Sequence, residues 1–119
     1  MKKDVLHNIF VYGTLKKGQR NAHYLEPRDP IWVGWTTLGF AMYDLGFCPG
    51  VKKEGVEGKV YGEVYTIDDA TLRRLDRLEG HPTNWRREVV KLEGFDEPVE
   101  GYIYQHSVSP ADLIANGVW

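Results

Sequence analysis

The segment Ile9-Phe10-Val11-Tyr12-Gly13-Thr14-Leu15-Lys16-Lys17-Gly18 changes from apolar to polar at its midpoint. Its first residues are β-branched or aromatic, which predicts a buried strand, and their position near the start of the chain favours a central strand. Gly13 ends the strand, because glycine tolerates backbone angles closed to other residues and lets a ligand approach the main chain. The polar loop that follows is predicted to bind a ligand through backbone N–H groups. The alternative is that Gly13 only terminates a strand.

Length and charge limit the classes of function open to the chain. Its 119 residues suffice for one hydrophobic core, so we expect a single domain over residues 1–119. The 15 basic and 17 acidic side chains nearly balance, which leaves no basic field to attract nucleic acid or an anionic membrane. We therefore expect neither nucleic acid nor membrane as a partner.

The N-terminal residues and the cysteine content indicate a compartment. Residues 1–7 lack the apolar core of a signal peptide. No apolar run approaches the roughly 20 residues that span a bilayer. Cys48 is the one cysteine, so neither an internal disulfide nor a multi-cysteine zinc site can form, which is typical of a reducing compartment. These features predict a soluble, cytoplasmic protein.

Apolar patterning predicts further strands. Residues 31–43 suggest two short strands or one strand bent by a bulge, and residues 59–67 alternate with apolar character on both faces. Residues 85–92 and 99–105 predict a hairpin-like pair around a glycine-containing turn. Glycines and prolines predict turns at residues 45–50 and 55–58.

One segment carries a convincing helical pattern. Asp68 and Asp69 supply N-cap chemistry, and leucines then recur every three residues between arginines. Gly80 and Pro82 end the pattern. The sequence therefore predicts one principal helix between these two signals.

Two shorter helical pieces complete the prediction. Residues 22–25 predict a single helical turn. In the tail, residues 109–119 predict a short helix whose apolar side chains cover an edge of the core, namely Leu113, Ile114 and Trp119. Together the elements predict a strand-rich α+β domain with a curled or barrel-like sheet and one principal helix.

Glu79 occupies an unusual position for an acid. It falls in the last turn of the predicted helix, where the helix dipole makes a carboxylate unfavourable by roughly 0.3–1 kcal/mol. Asp76 adds like-charge repulsion, and both influences raise the pKa expected for Glu79. A carboxylate placed against local preference is a candidate functional acid. The alternative is an exposed glutamate that pairs with Arg86 or Arg87 of the next strand.

Other familiar motifs are incomplete. The loop at residues 13–18 has the glycine spacing of a phosphate-binding loop, but Gln19-Arg20 stand where that motif needs Lys followed by Ser or Thr. Nucleotide binding is kept as an alternative. The histidines show no metal-ligand spacing, and Cys48 has no flanking base or cation that lowers its pKa. No Gly-x-Ser-x-Gly elbow supports a hydrolase triad. We expect no metal site.

Several separated segments carry a shared pattern. They are residues 10–18 with Asn21 and His23, residues 75–80, Arg86-Arg87 at the start of a strand and, as a weaker match, Tyr102-Ile103-Tyr104. In their order and spacing they resemble the γ-glutamylcyclotransferase-like family. The resemblance covers about residues 9–105. It implies a small mixed α/β domain around a partly open barrel, with a cavity beside the first loop.

The resemblance also implies roles for individual residues. The γ-glutamyl or 5-oxoproline moiety would be bound by Tyr12, Gly13, Thr14 and Leu15, with Tyr104 as a further pocket residue. Glu79 would be the catalytic acid/base. One departure is Trp85, just before Arg86-Arg87, where relatives often carry tyrosine, so any hydroxyl contact supplied there is absent.

The chemistry implied by the resemblance needs no cofactor. In a γ-glutamyl amide the substrate's own α-amine attacks its γ-carbonyl, which closes 5-oxoproline and expels an amine. The α-amine has a pKa of about 8 and glutamate one of about 4.3, so proton transfer to glutamate is uphill by about 5 kcal/mol unless the site raises the glutamate pKa. The implied function is a cyclotransferase for a small-molecule γ-glutamyl amine or related conjugate. A non-catalytic binding or regulatory domain of the same fold is the alternative.

Overall fold

The computed structural model describes residues 5–53 and 58–119. The strands in these ranges are β1 (Leu6–Val11), β2 (Trp32–Trp35), β3 (Phe40–Asp44), β4 (Pro49–Lys53), β5 (Tyr61–Asp68), β6 (Trp85–Val89) and β7 (Glu100–Tyr104), and the helix is α1 (Asp69–Glu79). Short 3₁₀ turns lie at Ala22–Tyr24 and Pro110–Asp112. The predicted α+β class is confirmed. Within the described ranges, no helix has the length and apolar character needed to cross a membrane.

Five strands form a mixed sheet in the order β2-β5-β1-β7-β6. Strand β1 is central, as predicted, and it runs antiparallel to β5 and parallel to β7. The other two strands, β3 and β4, pair as a separate antiparallel hairpin. The sheet is therefore open and does not close into a barrel.

Side chains on the two faces of β1 pack in two different hydrophobic cores. Phe10, together with Tyr12 just after the strand, packs in the core that contains residues of the β3–β4 hairpin. Ile9 and Val11 pack in the core that contains residues of α1. Because residues 9–11 of β1 are buried on both faces of the sheet, this half of the strand is apolar without alternation. This arrangement places the end of β1 between the hairpin and the helix.

Local sequence fixes both ends of α1. The Asp68 carboxylate caps the N-terminus by accepting a hydrogen bond from the Thr71 backbone N–H at 2.9 Å. Gly80 ends the helix in the left-handed conformation, with φ at 65°. The predicted helix boundaries are confirmed, and Glu79 is the last helical residue.

The turn predicted for residues 45–50 is wrong at its end, because Pro49 and Gly50 belong to strand β4. Pro49 already pairs with Asp44 of β3, so the connection between the strands is shorter. Within it, the Asp44 carboxylate accepts a hydrogen bond from the Gly46 backbone N–H at 2.7 Å. Proline is tolerated as the first residue of a strand. Pairing with β3 therefore overrides the local turn signal at Pro49.

The tail follows its prediction only in part. Pro110–Asp112 forms a 3₁₀ turn, and Ile114 and Trp119 pack against the core. Leu113 is 49% exposed, so its predicted role in covering the core is wrong. The turn predicted for residues 55–58 falls mostly outside the described ranges.

Candidate active site

The loop after β1 is folded back on itself and leaves backbone donors free. The Asn21 backbone N–H donates to the Thr14 carbonyl at 2.9 Å, and the Asn21 side-chain amide donates to the Thr14 hydroxyl at 3.0 Å. The Lys16 N–H donates to the Gly13 carbonyl at 3.0 Å. The N–H groups of Gly13, Thr14 and Leu15 have no acceptor among the residues that the structure describes. They are available to an anion or a carbonyl oxygen.

Gly13 is required by packing, not by its backbone angles. It does not adopt a positive φ, so the unusual backbone angles considered for it are not used. A Cβ at this position would lie 2.6 Å from Cγ and 2.8 Å from Cδ of Pro49. The missing side chain lets the start of β4 approach the loop closely.

Glu79 approaches the same region from the end of α1. Its side chain is half-buried, and within the described ranges its carboxylate makes no hydrogen bond or ion pair. Burial raises the pKa of this carboxyl from 4.5 to about 7. Both protonation states are therefore populated near neutral pH, which suits a group that takes up and returns a proton.

The arginines considered as partners of Glu79 bind other acids. Arg87 Nε donates to Asp76 Oδ1 at 2.8 Å, and Arg86 pairs with Glu88 at 3.0 Å. The alternative of an exposed ion pair is therefore wrong. Repulsion from Asp76 is not the cause of the raised Glu79 pKa, because Arg87 compensates the Asp76 charge; the cause is burial.

A cavity brings the loop and Glu79 together. Its empty volume, which includes the open mouth, is about 370 Å³. The cavity is lined by Phe10, Val11, Tyr12, Gly13, Thr14, Leu15, Cys48, Pro49, Glu79, Trp85 and Tyr102. Five of the six residues expected at the site thus share one cavity.

Tyr104, the sixth, does not line this cavity. Its ring packs on Trp85, with centroids 4.8 Å apart, and its carbonyl accepts a hydrogen bond from Lys52 Nζ at 3.2 Å. Tyr102, two residues earlier on β7, lines the cavity in its place. The period-2 pattern correctly puts both tyrosines on one face, but it does not tell where along the strand the cavity ends.

Hydrogen bonds fix the two cavity tyrosines. The Tyr12 hydroxyl donates to the Tyr102 carbonyl at 2.7 Å, and the Tyr102 hydroxyl donates to Asp76 Oδ1 at 2.7 Å. Burial raises the pKa of both phenols well above the ordinary value, and the charge of Glu79 adds to both shifts. Both phenols therefore stay protonated with their protons committed to protein acceptors. Glu79 is the better candidate for proton exchange.

Cys48 and Trp85 line the cavity without a sequence signal for that position. Burial raises the pKa of the Cys48 thiol, and the charge of Glu79 adds to the shift, so the protonated form is favoured over a nucleophilic thiolate. Trp85, the first residue of β6, contributes its side chain to the cavity wall. Both positions depend on how the hairpin and β6 pack. No group of three or more potential metal ligands occurs among the described residues.

Comparison with known proteins assigns the chain to a family. The family model described as gamma-glutamyl cyclotransferase, AIG2-like, matches residues 9–119. The chain belongs to this family. The resemblance seen in the sequence is confirmed.

Relatives of the gamma-glutamyl cyclotransferase family match nearly the whole chain. A Vibrio cholerae protein with the provisional name gamma-glutamylcyclotransferase is 39% identical over 115 residues, 95% of each chain. Bovine gamma-glutamylaminecyclotransferase is 30% identical, over 89% of this chain and 69% of its own. The crystal structure of an AIG2-like protein from Mus musculus has a TM-score of 0.73 at 28% identity, and the match covers 96% of this chain and 88% of the mouse chain. Membership supports a gamma-glutamylcyclotransferase-like activity in general.

Proposed function

We propose that this protein converts a γ-glutamyl amine, or a related γ-glutamyl conjugate, to 5-oxoproline and a free amine. The observation that carries the proposal is the cavity that the half-buried Glu79 carboxyl shares with the N–H groups of Gly13, Thr14 and Leu15. The name of the bovine relative, gamma-glutamylaminecyclotransferase, gives the same class of chemistry for that protein.

Glu79 acts as the proton carrier in this scheme. Its carboxylate accepts a proton from the α-ammonium of the substrate, and the freed nitrogen attacks the γ-carbonyl carbon to form the C–N bond of a five-membered ring. The tetrahedral oxyanion then collapses, and the bond from the γ-carbon to the departing nitrogen breaks. That nitrogen receives the proton held by Glu79 and the second proton released by the attacking nitrogen. The products are 5-oxoproline and an ammonium ion, and no water is consumed.

The pKa of Glu79 makes the first proton transfer feasible. A reference α-amine has a pKa of about 8, so a carboxyl with a pKa of about 7 accepts its proton at a cost of about 1.4 kcal/mol. For a glutamate with the reference pKa of about 4.3, the same proton transfer costs about 5 kcal/mol. Burial of Glu79 thus contributes to catalysis because it reduces the difference between the pKa of the α-ammonium and the pKa of the Glu79 carboxyl.

The loop supplies binding and orientation. Its N–H groups at Gly13, Thr14 and Leu15 bind the substrate α-carboxylate or the developing oxyanion, and the bonds from Asn21 to Thr14 keep these donors fixed. Loss of one donor to an oxyanion typically costs about 10²–10³-fold in rate. The Tyr12 side chain lines the cavity beside these donors. It limits the room for an extended glutamyl chain and so favours the folded conformer in which the α-amine lies close to the γ-carbonyl carbon.

The proposal is tested by mass-spectrometric detection of 5-oxoproline after incubation with γ-glutamyl amines, γ-glutamyl dipeptides and glutathione. Glu79→Gln keeps the shape of the side chain but removes the proton acceptor, and we expect it to lower turnover by about 10²–10⁴-fold. Glu97→Gln is the matched control, because it removes the same charge from an exposed side chain between β6 and β7.

Two results would count against the proposal. Full activity of Glu79→Gln would remove Glu79 from the mechanism. Heat stabilisation by 5-oxoproline, without amine release from any member of the substrate panel, would instead support the non-catalytic binding domain.

A further inference from the structure

Lys16 is a buried cation that directly follows the three loop residues with free N–H groups. Only 7% of its surface is exposed, although a lysine is rarely buried unless it is paired. Its Nζ donates a hydrogen bond to the main-chain oxygen of Trp119 at 2.8 Å and lies 5.9 Å from the centroid of the Tyr61 ring. Burial lowers the pKa of Lys16, because the charged form loses hydration. The ammonium is thus bound to a residue that is distant in sequence.

The tail that accepts this hydrogen bond is itself fixed to the sheet and to the hairpin. The Gly117 carbonyl accepts a hydrogen bond from the Tyr61 N–H of β5 at 2.9 Å. The Ile114 N–H donates to the Met42 carbonyl of β3 at 2.8 Å. The Trp119 side chain packs against the core that contains residues of the hairpin. The main-chain oxygen of Trp119 is therefore an acceptor in a well-anchored segment.

Lys16 also takes part in the hydrogen bonds that shape the loop after β1. Its N–H donates to the Gly13 carbonyl, and its carbonyl accepts a hydrogen bond from the Gln19 N–H, both at 3.0 Å. The Asn21 N–H donates to the Thr14 carbonyl at 2.9 Å. These bonds join parts of the loop to each other, whereas the Lys16 ammonium joins the loop to the tail. Lys16 does not line the cavity, so it acts on a ligand there through the loop.

We propose that Lys16 is a positioning residue that ties the loop after β1 to the tail and so keeps the free N–H groups of the loop directed at the cavity. Without this bond, the loop spends only part of its time in the arrangement that binds the glutamyl group. The apparent affinity falls by that fraction, whereas kcat changes little because the bound substrate restores the arrangement. This inference rests on the proposed function and adds the residue that orders the binding loop.

The test compares two neighbouring lysines. Lys16→Met removes the ammonium and keeps an unbranched side chain that suits a buried position. With γ-glutamyl-ethylamide we expect KM to rise about tenfold and kcat to stay within about twofold, and calorimetry should show about the same rise in the Kd of 5-oxoproline. Lys17→Met is the matched control, because the Lys17 ammonium pairs at 3.1 Å with the exposed Asp29, and it should change neither KM nor Kd. Lys16→Arg keeps a cationic donor and should restore part of the affinity.

A substitution in the tail tests the same bond from its other end. Trp119→Ala removes the side chain that packs the tail against the core, so its main-chain oxygen should no longer hold the Lys16 ammonium in place. We expect a similar rise in the Kd of 5-oxoproline, and the double variant with Lys16→Met should show about the effect of one substitution alone. Effects that multiply in the double variant would overturn the proposal, because Lys16 and the tail would then act on the loop independently.

Amide hydrogen exchange separates this inference from the proposed function, because it needs no substrate. The Asn21 N–H reports the bond to Thr14 that closes the loop. It should exchange about tenfold faster in Lys16→Met than in the wild-type protein, and at the wild-type rate in Lys17→Met. This result, with no turnover of any γ-glutamyl compound by the wild-type protein, would support the role of Lys16 while the cyclotransferase activity fails. Unchanged KM and Kd in fully folded Lys16→Met, or unchanged exchange at Asn21, would overturn that role.

Discussion

Asp76 and Glu79 lie one turn apart on α1, yet only Asp76 is compensated by a cation. Arg87 donates to the two Asp76 carboxylate oxygens at 2.8 and 3.3 Å, and the Tyr102 hydroxyl donates to the same group at 2.7 Å. Glu79 has no such partner among the described residues, and burial raises its pKa to about 7. The contrast gives Asp76 a structural role and leaves Glu79 as the acid that can exchange a proton.

The pH dependence of activity should follow the ionisation of Glu79. In the free enzyme the carboxyl must be ionised to accept a proton, so kcat/KM is expected to fall as pH drops through about 7. The measurement is a pH profile of kcat/KM on one γ-glutamyl substrate. An acid limb near pH 4.3, about the pKa of an ordinary glutamate, would show that the site does not raise this pKa.

The stability of the fold should depend on pH through the same group. The Glu79 pKa is higher in the folded state than its reference value of 4.5, so the folded protein binds this proton more tightly than the unfolded chain. The resulting stabilisation is fully present below pH 4.5 and is lost as pH rises through about 7. We expect the loss to be about 1–3 kcal/mol relative to Glu79→Gln, which has no such titration. Urea unfolding of both proteins across this range measures it, and parallel pH dependences would contradict the prediction.

Substitution of Gly13 tests the close approach of the loop to β4. Gly13→Ala introduces a Cβ at 2.6 Å from Pro49 Cγ, and the strain should lower the free energy of unfolding by about 1–3 kcal/mol. Pro49→Ala removes the atoms that clash, so the double variant should recover part of that loss. Chemical denaturation of the four proteins measures the coupling. Additive effects would mean that the contact does not constrain position 13.

The Tyr12 hydroxyl is expected to stabilise the fold. Tyr12→Phe leaves the Tyr102 carbonyl without the donor at 2.7 Å, which should cost about 1–2 kcal/mol of unfolding free energy. Tyr61→Phe is the matched control, because the half-buried Tyr61 hydroxyl makes no hydrogen bond with the described residues. Thermal or urea unfolding compares the two variants. Equal losses in both would contradict a specific role for the Tyr12 bond.

The elements that the sequence predicted correctly are those with local causes. Strand β1 follows from an apolar run ended by glycine. Helix α1 follows from Asp68 at its start and Gly80 at its end, both of which act within one turn. The position of Glu79 in the last turn is set by these caps, which explains why an unusual acid could be recognised without a structure.

The features that the sequence did not predict depend on contacts between distant segments. Local signals at Pro49 indicate a turn, but pairing with Asp44 makes this residue part of β4. Arg87 was a possible partner of Glu79, and only the register of β6 against α1 directs it to Asp76. Tyr104 was predicted at the cavity, but Tyr102 lines it. This difference also depends on distant segments, because the elements packed against β7 determine how far the cavity extends along the strand.

The most direct test of the central claim is an amide NMR titration of the isotope-labelled protein with 5-oxoproline. The claim is that the loop donors and Glu79 form one site for the glutamyl moiety. The account predicts that the largest amide shifts fall on Gly13, Thr14 and Leu15, with smaller shifts at Glu79. Absence of binding, or largest shifts on residues outside this cavity, would contradict it.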